Sequence, residues 1–69
     1  MSVIAVIING ELRQFDHPIT LVTLLEQMQL NGKRIALERN GEIVPRGQFD
    51  QQLLENGDRL EIVVAVGGG

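Results

Sequence analysis

The spacing of apolar residues changes several times along the chain, and Asn-Gly dipeptides sit at the changes: Asn9-Gly10, Asn31-Gly32, Asn40-Gly41 and Asn56-Gly57. Asparagine and glycine both tolerate the positive φ that tight turns demand, so each pair marks a reversal or an element boundary. Val3-Ile4-Ala5-Val6-Ile7-Ile8 is a continuous, mostly β-branched run and predicts a strand covered on both faces. Glu11-Leu12-Arg13-Gln14-Phe15 alternates as a half-exposed strand does, and the two-residue link between the two runs makes a hairpin. Beyond Pro18 the period turns helical: Leu21, Leu24, Leu25 and Met28 recur at i, i+3, i+4 and i+7. Thr20 is the expected N-cap, its hydroxyl accepting from a free backbone N–H, and Asn31-Gly32 the expected left-handed C-cap.

Ile35-Ala36-Leu37-Glu38-Arg39 and Glu42-Ile43-Val44 flank Asn40-Gly41 as a second, shorter hairpin, and Pro45, lacking the N–H that a ladder needs, suits a sheet edge. Residues 46–55 read as a loop or short helical turn. The chain then turns through Asn56-Gly57-Asp58 into a last strand, in which Leu60, Ile62, Val64 and Val66 share the face expected to pack under the helix. The opposite face starts charged at Arg59 and Glu61 and becomes apolar at Val63 and Ala65. Hairpin, helix, hairpin, strand predicts an α+β domain: a mixed sheet of about five strands with one main helix packed across it. It occupies residues 1–66, followed by a flexible glycine tail at 67–69.

Composition narrows what such a domain does. A chain of 69 residues buries only about 60% of its unfolded surface, too little for a large enclosed active site. Hydrophobic residues make up 43% and charged ones 22%, a globular balance, and the run from Val3 to Ile8 is far too short to span a bilayer. The N-terminus has neither a basic segment nor an apolar stretch of signal-peptide length, so a cytoplasmic protein without a membrane partner is expected. Cysteine is absent, which excludes disulfides, thiolate metal sites and thiol nucleophiles. A net charge of −3, with only Lys33 and Arg34 adjacent among the basic residues, gives no footprint for nucleic acid. No Ser/His/Asp set or metal-ligand spacing is present, so the expected role is not that of an enzyme.

The sequence closes on Gly67-Gly68-Gly69. At an average glycine frequency of about 7%, three in a row at a given place is roughly a 1 in 3,000 coincidence. Such a tail is thin enough to thread a narrow channel, and it leaves the Gly69 carboxylate sterically open. A carboxylate is anionic above about pH 3.5 and a poor acyl donor, so it reacts only once its oxygen has attacked an ATP α-phosphate to form an acyl-adenylate. Nothing in the chain resembles a phosphate-binding loop, so the ATP belongs to a second protein and no cofactor is expected to be bound here. Val63 and Ala65, apolar where a solvent-facing strand end is normally polar, suit a partner-docking patch beside the tail; burial under the 46–55 loop is the other reading.

Three segments, Asn40-Gly41-Glu42-Ile43-Val44-Pro45-Arg46, Asn56-Gly57-Asp58-Arg59-Leu60-Glu61-Ile62 and Val64-Ala65-Val66-Gly67-Gly68-Gly69, together resemble the ThiS-like sulfur carriers of thiamine biosynthesis. These belong to the wider ubiquitin-like β-grasp group. The resemblance implies that a ThiF-like activating enzyme adenylates the Gly69 carboxylate using ATP. Sulfur from a source such as a cysteine desulfurase then converts it to a thiocarboxylate, which a ThiG-like thiazole synthase accepts. It also implies that Gly67 and Gly68 serve threading, and that the chain is a protein co-substrate.

Other readings stay open on the residues alone. The small subunit of molybdopterin synthase shares this ending, though its approach to Gly-Gly tends to carry prolines where this chain has Val63-Val64-Ala65-Val66. A ubiquitin-like modifier conjugated through Gly69 and a non-covalent interaction module are the remaining classes; Lys33, the sole lysine, leaves one point for polymer linkage. Arg46, after Pro45, is either a contact for a partner's acidic group or a solvated loop arginine, and His17 reads as an exposed loop histidine.

Overall fold

The computed structural model describes residues 3–65. Strands β1 (Ile4–Ile8) and β2 (Glu11–Phe15) form the first hairpin, and helix α1 (Leu21–Gln27) follows. The second hairpin is β3 (Ile35–Arg39) with β4 (Glu42–Ile43), and a single 3-10 turn at Arg46–Gln48 precedes β5 (Arg59–Val64). The sheet runs β2-β1-β5-β3-β4, antiparallel except for the β1·β5 pair. This is the ubiquitin-like β-grasp that the order of elements and the resemblance led us to expect, with the last strand in sequence lying at the centre.

The Asn-Gly pairs split into two kinds. Asn9-Gly10 and Asn40-Gly41 have both residues at positive φ (51° and 85°, 53° and 88°), the geometry of a two-residue hairpin turn that matches strand twist. In Asn31-Gly32 and Asn56-Gly57 only the glycine is left-handed. Three of the asparagines also tie strands together. Asn9 Oδ1 accepts from Ile62 N at 2.7 Å and its Nδ2 donates to Ile62 O at 3.1 Å. Asn40 Oδ1 accepts from Arg59 N at 2.9 Å, and Asn56 Oδ1 from Ala5 N at 2.8 Å.

Helix α1 starts where expected, with Thr20 Oγ1 accepting from Thr23 N at 3.2 Å. Its end differs from the sequence reading: the left-handed cap is Gln29 (φ 61°), not Asn31-Gly32. Leu30 N donates to Leu25 O at 2.8 Å and Gln29 N to Glu26 O at 3.0 Å, the paired bonds of a Schellman motif. Leu30, packed against the core, is the apolar residue that this motif wants after its left-handed position, and it outweighs the strain of a non-glycine there. Gly32 (φ 82°) belongs to the next turn, closed by Lys33 N to Leu30 O at 3.1 Å.

A helix this short is marginal alone, and the first free N–H groups of a helix need partners. The 46–55 segment supplies them: Leu21 N donates to Gln52 O and Val22 N to Phe49 O, while Leu54 N bonds Ile19 O. Phe49 and Leu54 from this segment are buried beside Leu21, Leu24 and Leu25, so what reads as a loop is part of the core.

The inner sheet face contributes Ile4, Val6, Ile8, Leu37, Leu60 and Ile62 to that core. Two expectations are corrected here. Strand β1 is buried on one face only, with Ala5 and Ile7 half-buried on the other, because no second layer covers the outer face among the described residues. Strand β2, at the sheet edge, is exposed almost throughout, Leu12 to 68%. Val66, assigned to the inner face with Leu60 and Ile62, lies outside the described residues.

Asp58 is the one buried charged residue among those described. Its Oδ2 pairs with Arg39 Nη2 at 2.8 Å and accepts from Glu55 N at 2.8 Å, while Oδ1 accepts from Asn40 Nδ2 at 3.0 Å. Arg39 continues the network through Nη1 to Gln52 Oε1 at 3.0 Å. The carboxylate thus joins β3, the 46–55 segment and the turn into β5. Removing one partner of a buried pair leaves the other charge uncompensated. Asp58→Ala is expected to lower unfolding stability by about 3 kcal/mol, read from urea denaturation, while Glu42→Ala on the exposed edge strand stays within about 0.5 kcal/mol.

Candidate functional site

The position of β5 sets what its end presents. Leu60 and Ile62 point into the core with Val64 half-buried behind them, so the residues between point out through the uncovered face. Val63 is 62% exposed and Ala65 is exposed, which excludes burial under the 46–55 segment. Val63 pairs with Ala36 on β3, itself exposed, so three small or medium apolar side chains share one surface at this end of the sheet. The next row carries Glu61 directly opposite Glu38, with Ile43 beyond it on β4 at 65% exposure. Like charges in that relation oppose pairing, so this row is not arranged for sheet stability.

Ala65 extends the β3·β5 ladder by one bond, its N–H donating to Arg34 O at 2.9 Å. That bond fixes the chain at the last described residue. Gly67, Gly68 and Gly69, the expected threading and activation residues, lie outside the described residues.

Arg46 is placed apart from Val63 and Ala65. It stands on the 3-10 turn, exposed, and Nη2 donates to Lys33 O at a long 3.4 Å. With Lys33 and Asp50 it rims a groove of about 370 Å³ whose apolar wall includes Leu25, Leu30, Ile35 and Phe49. Ile35 pairs with Val64 and faces inward with it, so the groove opens on the helix side of the sheet while Val63 faces the other way. The two features share one end of the molecule: Arg34, which receives the Ala65 N–H, follows Lys33 directly. Sequence reasoning missed Ala36 and the groove. Alternation alone puts Ala36 on an outward face, but only the cross-strand register puts it beside Val63.

His17 is exposed, its Nδ1 at 3.0 Å from Pro18 O. No group of three His, Asp or Glu side chains suited to a metal occurs among the described residues. No helix among them is long and apolar enough to cross a membrane. The geometry offers surfaces and an anchored strand end for a partner to grasp. Because Arg46 is exposed and its one bond is long, Arg46→Ala is expected to change stability by less than about 0.5 kcal/mol. Phe49→Ala, in the groove wall and the core, costs about 3 kcal/mol; thermal unfolding of the two variants checks both.

Comparison with known proteins gives the same picture. Residues 6–69 match the model of the ThiS family. A protein named thiazole synthase from Paramagnetospirillum magneticum is 43% identical over 63 residues, 91% of this chain but only 19% of that protein. The chain therefore spans about a fifth of that relative's length. The sulfur carrier protein ThiS of Escherichia coli is 31% identical over 64 residues, covering 93% of this chain and 97% of that one. The crystal structure of the thiamine biosynthesis protein ThiS from Geobacter metallireducens superposes with a TM-score of 0.80 at 26% identity, over 96% of this chain and 100% of that one.

Proposed function

The chain belongs to the ThiS family, and from that premise we propose that it is a cytoplasmic sulfur carrier of thiamine biosynthesis whose reactive group is the Gly69 carboxylate. The observation that carries the reading is that the family match runs from residue 6 through the glycines to residue 69. A Gly69 carboxylate oxygen attacks the α-phosphate of ATP held by a ThiF-like activating enzyme. Pyrophosphate leaves, and an acyl-adenylate remains. A persulfide drawn from a source such as a cysteine desulfurase then displaces AMP through its outer sulfur to give an acyl disulfide. A second thiol, a partner's because this chain has no cysteine, attacks the inner sulfur, forms a disulfide with it and releases the thiocarboxylate. The carrier acts as a protein co-substrate. Its own residues supply the thin Gly67-Gly68 approach and a rigid base for it at Ala65.

The acceptor in this reading is a ThiG-like thiazole synthase, supported by the likeness of 91% of this chain to part of a protein named thiazole synthase. The same likeness and the family match favour this route over the molybdopterin one. Val63 and Ala65, with Ala36 beside them, form the surface on which the activating enzyme docks, and Arg46 meets an acidic group on a partner. Their exposure supports this, since apolar side chains contribute nothing to the core from there.

The test is the intact mass of the purified protein after incubation with ATP, a sulfur source and the activating enzyme. Exchange of one oxygen for sulfur at Gly69, abolished by deleting Gly68 and Gly69, is the expected outcome. No exchange, with the activating enzyme active on another carrier, would favour a binding module, and an isopeptide adduct to a target lysine would favour a modifier. Val63→Lys should lower kcat/KM for adenylation roughly tenfold, the loss of about 1.4 kcal/mol at an interface, with an unchanged unfolding midpoint. An unaltered kcat/KM removes Val63 from the docking surface.

A further inference from the structure

An Asn-Gly dipeptide is prone to one reaction of its own. The glycine backbone nitrogen attacks the preceding side-chain amide, unhindered because glycine has no Cβ. A bond forms from that nitrogen to the asparagine Cγ, ammonia leaves, and a succinimide results. Water then opens either of its carbonyls to give aspartate or isoaspartate. The attacking species is the deprotonated amide, so the rate rises with pH, and no oxidant, reductant or enzyme is needed.

The four Asn-Gly pairs have the same local chemistry but not the same surroundings. Asn9 is held at both ends of its amide, Oδ1 by Ile62 N and Nδ2 by Ile62 O. Asn40 is held likewise, Oδ1 by Arg59 N and Nδ2 by the Asp58 carboxylate. Asn56 accepts from Ala5 N, and there the attacking nitrogen is also engaged, Gly57 N donating to Ala5 O at 2.8 Å. Asn31 is exposed and its side chain makes no hydrogen bond among the described residues; nor does Gly32 N. We infer that Asn31-Gly32 is the spontaneous modification site of this protein, deamidating to aspartate or isoaspartate while the other three pairs are protected by the bonds that tie the sheet. Two hydrogen bonds that must break before attack correspond to a slowing of roughly tenfold or more.

The product alters a functional neighbourhood. Asn31 lines the groove beside Lys33 and Arg46, so conversion adds a carboxylate at that rim. Isoaspartate also inserts a methylene into the backbone of the turn closed by Lys33 N and Leu30 O. Arg34, one residue on, receives the Ala65 N–H at the end of β5. Ageing at this one site therefore loosens the base of the glycine tail.

Ageing the purified full chain in warm, mildly alkaline buffer, with site-resolved mass spectrometry, tests this. Position 31 should convert roughly tenfold or more faster than positions 9, 40 and 56 in the folded protein. In concentrated urea the four rates should converge. Equal rates in the folded protein would overturn the assignment, and an undiminished lead of position 31 in urea would overturn protection by the fold. Amide hydrogen exchange at Ala65 should be faster in the isoaspartate fraction than in fresh protein. Unchanged exchange there would sink the coupling to the tail, independently of any sulfur chemistry.

Discussion

The structure depends on one placement: β5, the last strand in the sequence, lies between the first strand and the third. Only three residues of turn precede it at Asn56-Gly57-Asp58, and that turn is where the long-range closure is made. Ile7 N donates to Asp58 O, Gly57 N to Ala5 O, and the Asn56 side chain accepts from Ala5 N. Closing so long a loop costs entropy before any burial is gained. Here the cost is met by bonds concentrated in one corner, with the Asp58 carboxylate bridging Arg39, Asn40 and Glu55 N. A domain too small for a large core thus holds its central strand by polar contacts at one end and by Leu60 and Ile62 along its length.

The same placement governs what the C-terminal end of the domain can do. A central strand is bonded on both sides, so its direction is fixed far better than that of an edge strand. β1 flanks only the first part of β5, at Arg59 and Leu60, and the Asn9 side chain carries the pairing on to Ile62. Beyond that, β3 alone guides the strand out through Val63, Val64 and the Ala65 to Arg34 bond. The backbone therefore leaves the sheet with one side free. Val63, and Ala36 across the bonded side on β3, are apolar and exposed there, on a face that no layer covers among the described residues.

Much of this is legible in the residues alone. The two hairpins, the N-cap at Thr20, the helix stripe at Leu21, Leu24 and Leu25, and the edge position of the segment before Pro45 follow from periodicity and turn chemistry. The misreadings each have a tertiary cause. That the left-handed helix cap is Gln29 and not Asn31-Gly32 is set by where Leu30 finds the core, which local preference cannot report. The uniform β-branched run of β1 looks two-sided, yet its outer residues are merely half-covered by neighbours in the sheet. Phe49 and Leu54 lacked any period to mark them, because an irregular segment buries residues wherever it happens to cross the core. Asp58 and Arg39 are far apart in sequence, and only the fold brings them together. Of the candidate site, the outward apolar turn at Val63 and Ala65 was legible, while the position of Arg46 on the other side of the sheet required the fold.

The two faces of β5 also differ in what they contribute to the folded domain. Substitutions at Leu60 or Ile62 act on the core, where each lost methylene is felt through the helix. Val63 and Ala65 touch nothing that the core requires, and the Glu38 and Glu61 carboxylates beside them face one another across the strands without a compensating charge in the same row. A sheet selected for stability alone would place a β-branched or oppositely charged pair there. The surface around the strand end therefore carries a small energetic disadvantage in the free protein. A partner that covers Val63 and brings a cation to the glutamate pair would relieve it.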